Sequence, residues 1–224
     1  MELVPVEQAE TVLALGPLAP VIIETCPGAR FIKSIARGDA DAMIAGGAES
    51  TVSPLCISGF NAMKALSTRN EEPAKASRPF DKNRDGFVVS EGAGIVILEE
   101  MNSAVKRGAK IYAEIVGYGV SSDAYHLSTP DPEATGAYYS MKNAIEDGGL
   151  TPDDIDYVNA HGTSTYYNDL NETKAIKQLF KEKAEKLKIS SVKSMLGHAL
   201  GAAGGIEAVA TVLTVNTGIM PPIF

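Results

Sequence analysis

The sequence predicts an α/β fold with a mostly parallel sheet. Its 224 residues are 45% hydrophobic and 21% charged, a composition typical of an ordinary globular chain rather than a disordered one. Short apolar runs alternate with longer stretches of helical periodicity, and strands separated by helices of this length are typical of α/β proteins. The sequence has no repeat, low-complexity tract or long linker, so we expect one compact body.

The first half of the chain contains five predicted elements. Apolar residues recur with helical spacing over 29–37, and a short apolar strand follows at 42–45. Two β-rich runs, 87–89 and 94–98, flank a short segment of small residues and predict a hairpin-like pair. A helix over 100–107 is then stopped by glycine.

The second half continues the alternation of strands and helices. A strand at 111–118 precedes an amphipathic helix over 134–147, which two glycines close. A strand at 155–160, a polar helix over about 169–186 and a strand at 188–192 follow. In such folds the loops at the carboxyl ends of parallel strands carry the chemistry.

The last predicted element is a helix of small residues over about 201–214. The glycines and alanines of 201–205 do not resemble a phosphate-binding loop. We expect them to let this helix approach the sheet closely, because glycine has no side chain to hold the backbones apart.

Charge and cysteine content exclude several classes of protein. The chain carries 20 basic and 28 acidic side chains, a net charge of −8, which argues against nucleic acid and anionic membranes as partners. Two cysteines, Cys26 and Cys56, exclude a disulfide scaffold and suit a reducing compartment. The sequence has no uninterrupted apolar run of the length that a membrane span requires. Its first residues are acidic rather than basic, so we expect no targeting peptide. We expect a soluble intracellular protein, in the cytoplasm or an organelle matrix.

Two of the three histidines share an unusual context. His161 and His198 lie in loops that follow predicted strands and contain glycine and hydroxyl residues, whereas His126 reads as structural. A neutral imidazole there can donate a hydrogen bond to developing negative charge. Each histidine alone fits a structural role equally well. The shared context, with Lys193 five residues before His198, favours catalysis.

Three motifs give the sequence a specific resemblance. They are His-Gly-Thr-Ser-Thr at 161–165, Lys-Ser at 193–194 with Gly-His at 197–198, and Gly-Ala-Ala-Gly-Gly-Ile-Glu at 201–207. The chain resembles the beta-ketoacyl-acyl carrier protein synthases over about 29–222, and most closely the elongation enzyme of the dissociated type II pathway. Further matching segments are 38–41, 45–49, 65–69, 78–81, 84–88, 91–94 and 121–126.

The resemblance implies a thiolase-like fold with α/β/α/β/α layers, built from two similar halves and usually dimeric. Residues 1–109 would be the remainder of the N-terminal half, with 1–28 atypical, and residues 110–224 most of the C-terminal half. Both ends stop short of the family pattern, so we expect an incomplete fold from a truncated chain.

The resemblance also implies a reaction of fatty acid biosynthesis. A cysteine accepts an acyl chain as a thioester, malonyl-acyl carrier protein loses carbon dioxide, and the resulting carbanion attacks the acyl thioester. His161 and His198 would donate hydrogen bonds to the thioester oxygen, and Lys193 would tune them with Glu207 as its partner. No cofactor is implied, because phosphopantetheine arrives on the carrier protein. The implied partners are acyl carrier protein, with malonyl and acyl thioesters as substrates.

Four further residues have two interpretations each. By resemblance, Thr163 and Thr165 bind the phosphopantetheine arm; taken alone, they would satisfy backbone groups in a turn. By resemblance, Asp169 and Glu172 brace the site; taken alone, they form a helix N-cap and its reciprocal partner.

The nucleophile departs from the family pattern. In the family, the reactive cysteine precedes the Gly-Asp-Ala-Asp element, here 38–41, by the length of one helix. Cys26 lies several residues too close to Gly38, and the family spacing would place the cysteine nearer Val21. Either Cys26 is a nucleophile in a compressed turn, activated by a helix N-terminus, or residues 1–28 are unrelated sequence and the thiol site is absent. We expect Cys56, which has apolar neighbours in the sequence, to be an unreactive thiol in the core. The alternative function is therefore a noncatalytic truncated homologue or partner subunit, or decarboxylation without condensation.

A second departure follows the threonines. The family has small residues and proline where this chain has Tyr166, Tyr167 and Asn168. We expect the two tyrosines to narrow the entrance beside the candidate arm-binding hydroxyls.

Overall fold

The computed structural model describes residues 10–16, 21–23, 29–126 and 129–224. The seven strands of these residues are β1 Glu10–Gly16, β2 Val21–Ile23, β3 Ala42–Glu49, β4 Gly92–Glu99, β5 Glu114–Ser121, β6 Tyr157–Asn159 and β7 Lys188–Ser190. The seven α-helices are α1 Ala29–Ala36, α2 Pro54–Ala62, α3 Met101–Lys106, α4 Thr135–Asp147, α5 Tyr166–Phe180, α6 Lys193–Leu196 and α7 Ala203–Thr217. The alternation of strands and helices confirms the α/β class.

The strands pair in three groups. Strands β2, β6 and β7 form a parallel sheet, whereas β1 pairs with β5 and β3 pairs with β4 in antiparallel ladders. The expectation of a mostly parallel sheet therefore holds only for the β2–β6–β7 group. Pairing direction depends on residues far apart in the sequence, so local periodicity does not determine it.

The predicted hairpin of runs 87–89 and 94–98 is wrong. Strand β4 pairs with β3 instead, and the 87–90 segment runs beside the loop that carries His198. The His198 N–H donates to the Val88 carbonyl at 2.7 Å, and the Ser90 N–H donates to the His198 carbonyl at 3.0 Å. This pairing fixes one of the candidate catalytic loops.

Helix α2 was not predicted, although its sequence carries a start signal. The Ser53 hydroxyl caps the helix by accepting from the Cys56 N–H at 3.3 Å, and Pro54 occupies its first turn. A hydroxyl residue followed by proline is a typical helix start. The apolar residues of α2, Leu55, Ile57 and Phe60, are spread around the helix rather than gathered on one face, so helical periodicity does not reveal it. Cys56 is partly exposed rather than a core thiol.

Helices α4 and α5 pack with β6 around the main hydrophobic core. The core includes Met141, Ile145, Ile155, Val158 and Ile176, each at most 3% exposed. Burial of apolar area on this scale is the main stabilising term of a domain. Val158 of β6 and Ala160, which follows the strand, both belong to this core, so the core supports the loop that leads to His161.

The small residues of α7 allow the close approach that the sequence predicts. A Cβ atom on Gly205 would lie 2.3 Å from the Gly94 carbonyl oxygen of β4, and one on Gly94 would lie 2.2 Å from the Gly205 carbonyl carbon. By length and composition alone, Leu200–Thr217 could cross a membrane, and 44% of that stretch is buried inside the fold. Core helices of soluble proteins meet the same two criteria.

Candidate active site

The candidate residues lie at one edge of the parallel sheet. Strands β6 and β7 run side by side, with Asn159 opposite Ser190 at their carboxyl ends. His161 follows β6 by two residues, and Lys193 opens α6 shortly after β7. The carboxyl edge of a parallel sheet is the usual position of a binding site in α/β folds.

His161 and His198 come together from separate loops. Their ring centroids are 5.3 Å apart and their planes are nearly perpendicular, at 88°. The Phe87 ring lies edge-on to His198, with 5.1 Å between the centroids. Phe87 in turn contacts Phe60 of α2 at 5.2 Å. The imidazole pair therefore has an aromatic support on the His198 side.

Lys193 is buried beside His161, with only 2% of its side chain exposed. Its ammonium group contacts the His161 Nδ1 atom at 3.1 Å, donates to the His161 carbonyl at 2.8 Å and forms an ion pair with Glu207. An ammonium group has three N–H bonds and no acceptor, so these three partners use all of them. His161 Nδ1 is consequently an acceptor, and a neutral His161 carries its proton on Nε2.

His198 adopts the same tautomer for a different reason. Its Nδ1 atom accepts the Leu200 backbone N–H at 3.1 Å. Leu200 has a φ of +43°, in the left-handed region that non-glycine residues seldom occupy. Such strain persists where the surrounding structure requires it, typically at functional sites. With Nδ1 engaged as an acceptor in each ring, a neutral His161 and a neutral His198 both carry their proton on Nε2.

Both rings are uncharged at neutral pH. Burial, followed by the positive charge of Lys193 and then by His198, holds the pKa of His161 well below its usual value of 6.5. Burial and Lys193 lower the pKa of His198 to about 3. An uncharged imidazole that keeps its N–H is a hydrogen-bond donor across the physiological pH range.

Glu172 of α5 holds the backbone of the His161 loop. Its carboxylate accepts the His161 N–H at 2.6 Å and the Gly162 N–H at 2.8 Å. From the other side, the Ser191 hydroxyl contacts the His161 and Gly162 carbonyls at 3.2 and 3.0 Å. Gly162 has a φ of +43°, and a Cβ there would lie 2.5 Å from that of Ser191. Glycine is therefore required at this turn.

Asp169 is 1% exposed and supports a neighbouring loop rather than the histidines. It accepts the Phe80 N–H at 2.8 Å and forms an ion pair with Arg84 at 3.3 Å. Burial raises the pKa of Asp169, while Phe80 and Arg84 act in the opposite direction. Helix α5 begins at Tyr166 with Thr165 as its N-cap residue, so the interpretation of Asp169 as a helix cap is wrong.

Thr163 and Thr165 present adjacent hydroxyls at the start of α5. Their Oγ1 atoms are 2.8 Å apart, and Thr163 Oγ1 also accepts the Thr165 N–H at 3.4 Å. Ser164 between them has a φ of +68°. The expectation that these hydroxyls satisfy a turn and the expectation that they bind a ligand are compatible, because a hydroxyl both donates and accepts.

Cys26 lies outside the described residues. The nearest described strand before it, β2, ends at Ile23 and runs parallel to β6, with Ile23 opposite Asn159. The chain therefore leaves β2 at the same sheet edge from which β6 leads to His161.

Sequence reasoning assigned no role to Phe87, Arg84 or Ser191. Arg84 was noted only within a segment of family resemblance and Phe87 also as the start of a predicted strand, and their contacts with Asp169 and His198 depend on tertiary approach. The Asp-Gly pair at 85–86, which is typical of a turn, was the one local sign in the sequence that the chain changes direction before Phe87.

Family models match most of this chain. The N-terminal domain of beta-ketoacyl synthases matches residues 26–104, and the C-terminal domain matches residues 112–224. The chain belongs to the beta-ketoacyl synthase family. The family assignment confirms the resemblance, and the division of the chain at 109/110 remains a prediction.

Curated relatives of this synthase-family chain carry a common name, 3-oxoacyl-[acyl-carrier-protein] synthase 2. The protein from Coxiella burnetii is 57% identical over 92% of this chain, and that from Vibrio cholerae is 55% identical over 85%. The protein from Staphylococcus aureus is 50% identical over 93% of this chain. The match covers 51%, 46% and 53% of these relatives, so the chain spans about half their length.

Solved ketosynthases share the fold. One, described as a ketosynthase in complex with its type II polyketide acyl-carrier protein and bound to the hexaketide, aligns with a TM-score of 0.83 and 42% identity, covering 86% of this chain and 48% of that one. A beta-ketoacyl synthase from Burkholderia phymatum aligns with a TM-score of 0.75 and 44% identity, covering 81% of this chain and 43% of that one. The thiolase-like α/β fold class is therefore confirmed.

Proposed function

We propose that this chain belongs to a 3-oxoacyl-acyl carrier protein synthase that condenses an acyl thioester with malonyl-acyl carrier protein. The names of its curated relatives support this reaction. One observation carries the proposal: His161 and His198 lie side by side, each uncharged and each with Nδ1 occupied as an acceptor. Two Nε2–H donors are what an oxygen that becomes anionic during decarboxylation requires.

The first step breaks the bond between the malonyl carboxylate and its α-carbon. Carbon dioxide leaves, and the electron pair of that bond passes into the thioester, whose oxygen becomes an enolate oxygen. Hydrogen bonds from His161 and His198 stabilise this oxygen more than they stabilise the neutral carbonyl, and so they lower the barrier. No proton transfer from either ring is needed.

Lys193 is a positioning residue in this proposal. Its ammonium group fixes the acceptor role of His161 Nδ1 and, with burial, keeps both rings uncharged. Glu207 balances the buried charge of Lys193, and Glu172 fixes the backbone from which His161 projects. Each of these groups acts through a histidine rather than on the substrate.

The second step forms the new carbon–carbon bond. This step needs an acyl group that is already bound to Cys26. In our proposal the Cys26 thiol has exchanged with the acyl thioester before decarboxylation, which transfers the acyl group to the Cys26 sulfur and frees the carrier thiol. The enolate carbon then attacks that acyl carbonyl, and the Cys26 thiolate departs. Thr163 and Thr165 would hold the phosphopantetheine arm that delivers both thioesters. Acyl carrier protein is the proposed partner, and a homodimer is the proposed assembly.

The two steps can be separated by replacing Cys26 with alanine. We expect Cys26→Ala to abolish formation of 3-oxoacyl-carrier protein and acyl labelling of the chain, both followed by mass spectrometry. Carbon dioxide release from malonyl-acyl carrier protein should persist, because the histidine pair does not depend on the thiol.

Cys56→Ala is the matched control, since Cys56 lies partly exposed on α2, and it should retain both reactions. Condensation that survives Cys26→Ala would refute the assigned nucleophile. A folded wild-type chain that releases no carbon dioxide would refute the proposed function and favour a noncatalytic partner subunit.

A further inference from the structure

The first turn of α5 presents two exposed aromatic rings next to the candidate arm-binding hydroxyls. Tyr166 is 60% exposed and Tyr167 is 65% exposed. Their ring centroids are 5.3 Å apart, with the planes at 87° to each other. Adjacent exposed aromatic side chains form an amphipathic surface of the kind that is enriched where proteins bind ligands.

Arg84 holds the first of these rings in place. Its guanidinium group lies 5.3 Å from the Tyr166 ring centroid and donates to the Tyr166 carbonyl at 2.7 Å. It also donates to the Thr165 carbonyl at 2.9 Å and to the Asp81 carbonyl at 2.8 Å, and it pairs with buried Asp169. The Arg84 side chain is 10% exposed. Each of its three nitrogens donates to a backbone carbonyl and the group already pairs with Asp169, so Arg84 serves to position the aromatic ring rather than to bind an anion.

The loop before the tyrosines is equally well fixed. The Ser164 hydroxyl accepts the Arg78 N–H at 3.1 Å, and the Ser164 carbonyl accepts the Gly86 N–H at 3.0 Å. Thr165, with its hydroxyl 2.8 Å from that of Thr163, directly precedes Tyr166. Hydroxyls and rings therefore lie on one preorganised segment, 163–167, which reduces the ordering cost of binding.

We propose that Tyr166 and Tyr167 form an aromatic contact for the amide-bearing outer part of the pantetheine arm. This inference rests on the proposed function, because it assumes that the arm passes the 163–167 segment on its way to the histidine pair. Planar amides pack against aromatic faces, and the threonine hydroxyls next to the rings offer hydrogen bonds to the same chain of atoms. The contact makes the site prefer a full pantetheine arm over a shortened one.

Two unreactive probes test the preference directly. S-methyl-pantetheine carries the full arm, S-methyl-N-acetylcysteamine lacks its outer amide, and neither thioether can transfer an acyl group or lose carbon dioxide. Equilibrium dialysis should give a lower Kd for S-methyl-pantetheine with the wild-type chain. The Tyr166→Ala/Tyr167→Ala variant should raise that Kd about 3- to 10-fold and leave the Kd of the shorter probe unchanged. Tyr166→Phe/Tyr167→Phe keeps the rings and should keep the preference.

The Tyr138–Tyr139 pair on α4 supplies a matched control. Its rings are also edge-to-face, with centroids 5.2 Å apart, and Tyr139 is 50% exposed. Tyr139→Ala should leave both Kd values unchanged. A wild-type chain without preference, or equal changes for both probes in Tyr166→Ala/Tyr167→Ala, would overturn the inference. Carbon dioxide release from malonyl-acyl carrier protein is measured separately, so a chain that decarboxylates but lacks the preference refutes only the role of the tyrosines.

Discussion

Replacement of Lys193 by methionine is expected to lower the free energy of unfolding by about 3–5 kcal/mol. Methionine approximates the length of the lysine stem but leaves the carboxylate of Glu207, which is 1% exposed, without its ion-pair partner. The loss should be greater at pH 8 than at pH 5, because at the lower pH the buried carboxyl group can take up a proton and become neutral. Urea denaturation of wild type and Lys193→Met at both pH values measures the effect.

The double variant Lys193→Met/Glu207→Met distinguishes the charge from the packing. It removes both charges together, so it should recover much of the stability that the single variant loses. Equal losses in the single and double variants would show that the ion pair is not the source. The double variant should nevertheless lose decarboxylation, since His161 Nδ1 no longer has the Lys193 ammonium group as its donor.

The sequence predicted helices and single strands better than it predicted their pairing. Helix α4 and strands β6 and β7 fall within their predicted ranges, because each carries a local apolar period. Strand β3 pairs with β4 across more than forty intervening residues, and no local pattern encodes that choice. Strands β1 and β2 lie in a segment whose composition gave no family signal, so both were missed.

The residues of the candidate site also differ in whether the local sequence reveals them. His161, His198, Lys193 and Glu207 were predicted because each stands within a short motif that resembles the family pattern. The contacts of Arg84 with Asp169 and of Phe87 with His198 join segments that are more than eighty residues apart in the chain. Side chains supplied by such a tertiary approach are recognisable only once the strands are in register.

Replacement of either histidine should greatly slow decarboxylation. We expect His161→Ala and His198→Ala each to slow carbon dioxide release from malonyl-acyl carrier protein by about 10²–10³-fold, the usual cost of removing one oxyanion donor. His126→Ala, in an exposed loop, is the matched control and should retain the wild-type rate. If either site variant decarboxylates as fast as His126→Ala, the paired-donor mechanism is wrong.

The pH profile tests the same mechanism without a mutation. Because burial and Lys193 lower the pKa of His198 to about 3, the rate of decarboxylation should show no fall assignable to this ring as the pH drops through 6.5.

The stability of the chain should depend on pH in a different way. The unfolded chain takes up protons on both histidines below pH 6.5, while the folded chain keeps them neutral. The free energy of unfolding contributed by these groups therefore decreases as the pH falls from 6.5 towards 3.

An activity profile that instead falls with a midpoint near 6.5, while the chain remains folded by circular dichroism, would show that the rings titrate as ordinary histidines. They would then carry a positive charge at mildly acidic pH, and uncharged Nε2–H donors would not explain the chemistry.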